Sequence, residues 1–435
     1  MKVRTRRFGA LLLLGAFLAG CVDKGDLSGP PYSAYVINQT RLSDDRQKGY
    51  FELERVTYSQ LNDFENLGSP YMYVKRGGTL TAKDVAGSIV TDGEFHDGKS
   101  PDLRYTVEDG AAVARDYPSL VMMSAAYQFE RVFERYEEAT GFAPEDLVAN
   151  YGRMDIYFEP RVEIEMAIDV RQTQKFNAFF NPAGGQFGLV TRSANEDTPL
   201  AVDAKVIGHE MGHSVFQLSF FEGDRDECDE DDKEINLRDP WFLGRLPLEF
   251  AISGLNEGFA DWISFTLFGG FNALGNLTFV DNEERDISQD TFFWEDLPLN
   301  KDELEKDNQK CHGAFYCLGT MFARSLLEVF KQQGGDEADE LDRYAFTVPL
   351  VDAMRVTQAT LRAQDQLPLP SDEVAGCERR EYLNYTHDPP VIGEFFEALL
   401  SNLPEATAAP LCNELVARFG PGFPEENRDA CGGAP

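Results

Sequence analysis

Residues 205–217 read Lys205-Val206-Ile207-Gly208-His209-Glu210-Met211-Gly212-His213-Ser214-Val215-Phe216-Gln217. A helix is expected over 203–217. In a helix, residues four apart share a face, so His209 and His213 can turn both imidazoles toward one metal ion. Glu210, next to the first of them, would then face a water on that ion. Zinc is the expected metal, because it makes a bound water acidic enough to yield hydroxide near neutral pH. Glu210 would take that proton and pass it to a leaving amine. Two histidines and a glutamate at this spacing also arise by chance, as solvated side chains on an exposed helix. The decision rests on a third protein ligand, which a catalytic zinc requires together with one open position.

That ligand is sought downstream. A metzincin would carry glycine and histidine three and six residues after His213, but Phe216 and Ser219 stand there. A second apolar helix is expected from about residue 250 to 268, stopped by Gly269-Gly270, and it carries Asn256-Glu257-Gly258-Phe259-Ala260-Asp261. Glu257 and Asp261 are again four apart and face the same way. Two acids among Ile252, Phe259, Trp262 and Ile263 need partners if they are buried. A zinc ion for Glu257 and the far N–H of His209 for Asp261 would supply them.

This pairing of motifs resembles the gluzincins, specifically the thermolysin-like peptidases, over roughly residues 118–335. The segment Asn177-Ala178-Phe179-Phe180-Asn181 resembles the edge strand on which those enzymes lay the substrate backbone by β-addition. The resemblance implies a zincin-like fold with two lobes and a cleft between them. It implies His209, His213 and Glu257 as zinc ligands, Glu210 as general base, Asp261 behind His209, and Asn177 and Ala178 against the peptide. The family also sets a histidine before a later helix to stabilise the oxyanion. Here Tyr316-Cys317-Leu318-Gly319 resembles the start of that helix, yet Phe315 stands four residues before Gly319 and His312 three residues further back. His312 is the expected donor, with Tyr316 the alternative. The gap between His213 and Glu257 is longer than in thermolysin itself and holds an acidic loop.

Working outward, 435 residues with 43% hydrophobic and 12% aromatic content suffice for a large core in two or three structural units. Residues 1–20 read as an export signal: Lys2, Arg4, Arg6 and Arg7 precede an apolar run from Phe8 to Leu18 that is too short to span a bilayer. It ends in Leu18-Ala19-Gly20-Cys21, which resembles a bacterial lipobox. The resemblance implies cleavage before Cys21, lipidation of that cysteine and anchoring to the cell envelope by lipid alone. Val22 rather than aspartate follows, which points to the outer membrane in Gram-negative cells. Losing the signal removes four basic residues and no acidic ones, taking the formal charge from −35 to −39. Nucleic acid is a poor partner for such a surface; a protein or peptide substrate and a monomeric enzyme are expected. Asp224, Asp226, Asp229, Asp231 and Asp232 offer carboxylates for Ca2+. Their loop lacks an EF-hand's glycine and closing glutamate, so no calcium ligand is assigned and a solvated loop is expected.

Six cysteines follow Cys21, an even number suited to bridges in an exported chain. Cys311–Cys317 and Cys412–Cys431 are the expected local pairs. Residues 21–48 read as a polar tether, 49–217 as a β-rich N-terminal lobe ending in the motif helix, and 218–435 as an acidic loop, the third-ligand helix and a helical lobe. Within the first lobe, strands are expected near 71–75, 104–107 and 154–158, with a pair around the turn at 181–185. A helix from Pro118 to a glycine cap at Gly141 separates them. The fold class is therefore α+β. Two other functions fit the same motifs. A gluzincin aminopeptidase would carry Gly-x-Met-Glu-Asn to grip a free amine, and this chain has no such segment. A non-catalytic peptide-binding lipoprotein would most simply have lost Glu210 or a ligand, and all are intact.

Overall fold

Strands dominate before the motif helix and helices follow it. The structure, a computed structural model, describes residues 27, 29–42, 49–85, 88–91, 94–149, 152–167, 170–173, 177–181, 185–190, 199–221, 248–271, 285–289, 292–297, 314–363, 391–420 and 423. Seven strands come first: β1 (Ser33–Leu42), β2 (Gly49–Thr57), β3 (Met72–Arg76), β4 (Thr79–Val85), β5 (Ser88–Thr91), β6 (Tyr105–Glu108) and β7 (Ala111–Ala114). Helices α1 (Tyr117–Thr140) and α2 (Pro144–Ala149) precede β8 (Met154–Phe158), β9 (Arg161–Ala167), β10 (Val170–Thr173), β11 (Asn177–Asn181) and β12 (Gln186–Val190). The remainder is helical: α3 (Ala204–Phe221), α4 (Leu248–Phe268), α5 (Ala314–Gln332), α6 (Glu340–Ala363), α7 (Val391–Asn402) and α8 (Glu405–Phe419). All described strands thus precede α3, with only α1 and α2 lying among them, the α+β pattern. No described helix is long and apolar enough to cross a membrane.

The strands form three four-stranded sheets, ordered β2-β1-β7-β6, β10-β9-β4-β5 and β11-β12-β8-β3. Against them lies α1, whose ends follow local rules. Asp116 accepts the Ser119 N–H at 2.9 Å, Pro118 sits in the first turn, and Gly141 closes the helix at φ 77°. Its Phe129, Val132, Phe133 and Tyr136 stripe is buried, as the spacing requires.

One expectation is corrected. The stretch read as a tether over 21–48 contains β1, so the strand-bearing region begins at Ser33 and not at 49. Ala34 and Val36 are fully buried. β1 pairs along its length with β2, and Ala34 pairs with Ala112 of β7. The Ile37 N–H also donates to Ser124 Oγ of α1 at 2.8 Å. The partners that make Ser33–Leu42 a strand are remote in sequence, so its polar flanks and Gly29-Pro30-Pro31 outweigh it in a local reading.

A single hydrophobic cluster takes in residues from Ala34 to Phe423, including side chains of β3, β8, α1 and α3 to α8. Apolar packing is therefore continuous across the expected 217/218 division. Within it α4 lies between α3 and α5, at backbone contact. A Cβ on Gly212 would stand 2.5 Å from Ala260 Cα, and one on Gly258 would stand 2.2 Å from the Gly319 carbonyl oxygen. Only glycine permits such approach, and this approach brings the two histidines of α3 opposite Glu257 of α4.

Candidate metal centre

α3 starts where its sequence can cap it. Asp203 Oδ1 accepts the Lys205 N–H at 2.8 Å, satisfying one of the free donors of the first turn. Asp203 is fully buried, and burial raises its carboxyl to about 6. One turn on, His209 and His213 emerge on one face with ring centroids 4.7 Å apart at 82°. One ligand atom from each of His209, His213 and Glu257 lies within 4.8 Å of the others. The structure thus brings together the three residues expected to share a metal.

Each imidazole is oriented from behind. His209 Nδ1 stands 2.9 Å from Asp261 Oδ1, the contact expected of that acid. Nδ1–H donates there, which leaves Nε2 facing Glu257 Oε2 at 3.3 Å. His213 Nδ1 stands 2.9 Å from Asn256 Oδ1, so its Nε2 is presented 3.8 Å from Glu257 Oε1. Metal-binding histidines need such partners to fix tautomer and ring direction. Asn256 was quoted in the sequence motif, but its role was not read there.

Glu210 is buried, and its Oε2 has no hydrogen-bond partner among the described residues. The same oxygen is 4.0 Å from His213 Nε2. Burial raises the Glu210 carboxyl, Glu257 adds to that, and the two imidazoles oppose it. A buried carboxylate oxygen without a donor is costly. A polarised water between Glu210 and a metal on the two imidazoles would satisfy it, so the residues present fit a catalytic metal.

Sequence reasoning missed Arg285. Its guanidinium is 3% exposed and grips Asp261 with both ends of the fork, Nε to Oδ2 at 3.1 Å and Nη2 to Oδ1 at 2.7 Å. Nη1 reaches Glu257 Oε2 at 3.0 Å, and Nη2 lies 3.2 Å from His209 Nε2. Burial drives Arg285 toward neutrality, but Asp261 and Glu257 more than reverse this and hold it charged. In return, Arg285 and the imidazoles overcome the burial that would raise Glu257 and Asp261, and both are lowered. For His209, burial and Arg285 push downward, yet the hydrogen bonds to Asp261 and Glu257 win and raise it to about 9. The one available signal was the need of two buried acids for more than one cation. The sequence around Arg285, Asn282-Glu283-Glu284-Arg285-Asp286, looks like a solvated charged run.

Tyr316, the alternative oxyanion donor, is in this neighbourhood. The Arg285 guanidinium lies 4.8 Å from its ring centroid. Burial, then Glu257, raises the phenol to about 12, so it keeps its proton at neutral pH. β11 is the outer strand of its sheet among the described strands and packs near α3. Asn177 pairs with Val190 and Ala178 with Leu189 across to β12, and Ala178 is buried. His312, Cys21 and the acidic residues 224–234 lie outside the described residues. Cys317 and Cys412 are each disulfide-bonded; their expected partners Cys311 and Cys431 also lie outside the described residues. No protein-family model and no curated protein matches the chain.

Proposed function

We propose that the protein is a zinc-dependent endopeptidase of the thermolysin-like kind, exported and held to the cell envelope by lipid on Cys21. The observation that carries the peptidase reading is the buried, donor-less Glu210 oxygen beside three convergent ligand atoms on His209, His213 and Glu257. When bound there, zinc supplies Lewis acidity and lowers the pKa of a water.

The chain's own residues do the rest. Asp261 and Asn256 hold the imidazoles in the ligating tautomer. Arg285 keeps Asp261 and Glu257 ionised, so both stay acceptors. Glu210 accepts the proton of the attacking water and delivers it to the departing amine nitrogen, which makes bond cleavage irreversible in practice. Burial raises its pKa above that of an ordinary glutamate, the direction that makes it a better proton acceptor. The outer edge of β11 supports an extended peptide backbone as a further strand, with no demand on substrate side chains.

The test is turnover of an internally quenched peptide with and without a chelator, with zinc counted in the purified protein. Chelator-resistant hydrolysis, or products released one residue at a time from a free amino end, would exclude this reading. The second outcome would support the aminopeptidase.

A further inference from the structure

We infer that Arg324, on α5, is a positioning residue for the metal centre: it grips the backbone just beyond Arg285 and so fixes the guanidinium that holds Glu257 and Asp261. The inference rests on the metal-centre half of the peptidase reading and extends the site to α5.

Two of the three expected ligands depend on where Arg285 stands. Its Nη1 lies 3.0 Å from Glu257 Oε2, and its fork closes on Asp261, the acid that meets His209 Nδ1. A long arginine stem carries much rotamer freedom, so the guanidinium is only as well placed as the backbone from which it reaches. That backbone, residues 285–289, lies outside the α-helices and the three sheets. No ladder of hydrogen bonds holds it, and its position must come from individual contacts.

Four such contacts converge on it. The Ile287 N–H donates to the Phe271 carbonyl, just past the end of α4, at 2.9 Å, and the Ile287 side chain is buried in the core. Asp286 closes a turn on itself: Oδ1 accepts the Ser288 N–H at 2.9 Å and its hydroxyl at 2.6 Å, and Oδ2 accepts Gln289 Nε2 at 3.0 Å. Lys205, in the first turn of α3, is buried; burial lowers its ammonium, and Asp203 and Asp286 oppose that. From α5, Arg324 Nη1 donates to the Ile287 carbonyl at 3.2 Å and to the Ser288 carbonyl at 2.6 Å.

The last of these is the strongest hold. Hydrogen bonds from a charged donor are roughly twice as strong as neutral ones, and two successive carbonyls that converge on one nitrogen set the course of the chain beyond Arg285. The Arg324 side chain is 14% exposed, and its Nη2 pairs with Glu328 one turn on, so the guanidinium is itself held. The same helix is pressed onto α4 beside the third ligand: a Cβ on Gly319 would stand 2.7 Å from the Gly254 carbonyl oxygen and 3.0 Å from Glu257 Cβ. α5 thus sets the Arg285 backbone and is registered against Glu257, the residue that Arg285 must meet.

The experiment measures zinc affinity in the full chain, by competition with a chelator of known strength, for Arg324→Met, Arg285→Met and the double substitution. Each is assayed at a temperature where circular dichroism shows the metal-free variant folded. Losing a group that orients a ligand costs about 10–100-fold in metal affinity. Arg285→Met is expected in that range and Arg324→Met near its lower end, about tenfold. The double variant should bind zinc no more than about twofold more weakly than Arg285→Met alone, because Arg324 acts through Arg285. A merely structural role would not give that coupling, since independent losses multiply. The inference is overturned if Arg324→Met binds zinc as the wild type does, or if the two losses multiply. Should Arg324→Met not fold, Arg324→Lys takes its place: it keeps a cation without the planar fork, and a smaller loss with the same coupling to Arg285 is expected. A wild-type chain that holds no zinc would instead overturn the metal-centre reading, and this inference with it.

Discussion

The floor of the site and its rim are built by different means. On the floor, α3 and α4 touch backbone to backbone through Gly212 and Ala260, and the ionisable groups are buried or nearly so and, apart from the donor-less oxygen of Glu210, answered by one another. His209 meets Asp261, His213 meets Asn256, and Arg285 ties Asp261 to Glu257. On the proposed rim, β11 is an outer strand among the described strands, with partly exposed Phe179 and Phe180, and the contact proposed there for a peptide is through backbone. Side-chain identity therefore matters most on the floor, where an unpaired group has no water to fall back on. On the rim it matters least.

Substitutions can break this contrast, and the floor should supply the largest effects. Glu210→Gln removes the proton carrier but keeps size and burial, so zinc content should be unchanged while kcat falls by about 10²–10⁴. Near-normal turnover would show that Glu210 is not the base. Next in size, Asp261→Asn leaves Arg285 with one acid fewer and weakens the grip on His209. Metal affinity should drop by about 10–100-fold, measured by competition with a chelator of known strength. Unchanged affinity would mean that the Asp261–His209 contact does not orient the ligand.

The pH dependence follows from His209. Its folded pKa is raised to about 9, so in the metal-free protein the ring carries a proton below that value. This proton stabilises the metal-free fold at pH values below the ordinary histidine pKa, and the contribution is lost as pH rises through about 9. A metal must displace the same proton, so metal affinity should fall by about tenfold for each pH unit between 9 and 7. A flat affinity profile over that window would contradict the raised pKa. On the rim, Asn177→Ala should do no more than raise KM by less than about tenfold, since lost binding there is shared by substrate and transition state. A collapse of kcat in that variant would erase the distinction between rim and floor.

The parts of the molecule legible in the sequence are those governed by neighbours a few residues away. The helix from Tyr117 to Thr140, with its Asp116 and Gly141 caps, and the strand pair on either side of residues 182–184 both lie where pattern and turn chemistry put them. The motif helix does so within a few residues, and the described region after α4 is helical, as expected of that lobe. β1 was not legible, because Ala34 and Val36 are core residues only once β2, β7 and α1 close over them.

By itself, the sequence determined which side chains share a helical face: His209 with His213, and Glu257 with Asp261. A period of 3.6 residues makes that a local fact. Only the tertiary structure decided that these two faces meet, through glycine-mediated contact of α3 with α4, and that Arg285 lies buried between the two acids of α4. No local period encodes the approach of a lone arginine 24 residues beyond Asp261. That pairing follows from burying two carboxylates where water cannot compensate them, so that a cation from elsewhere in the chain becomes part of the site.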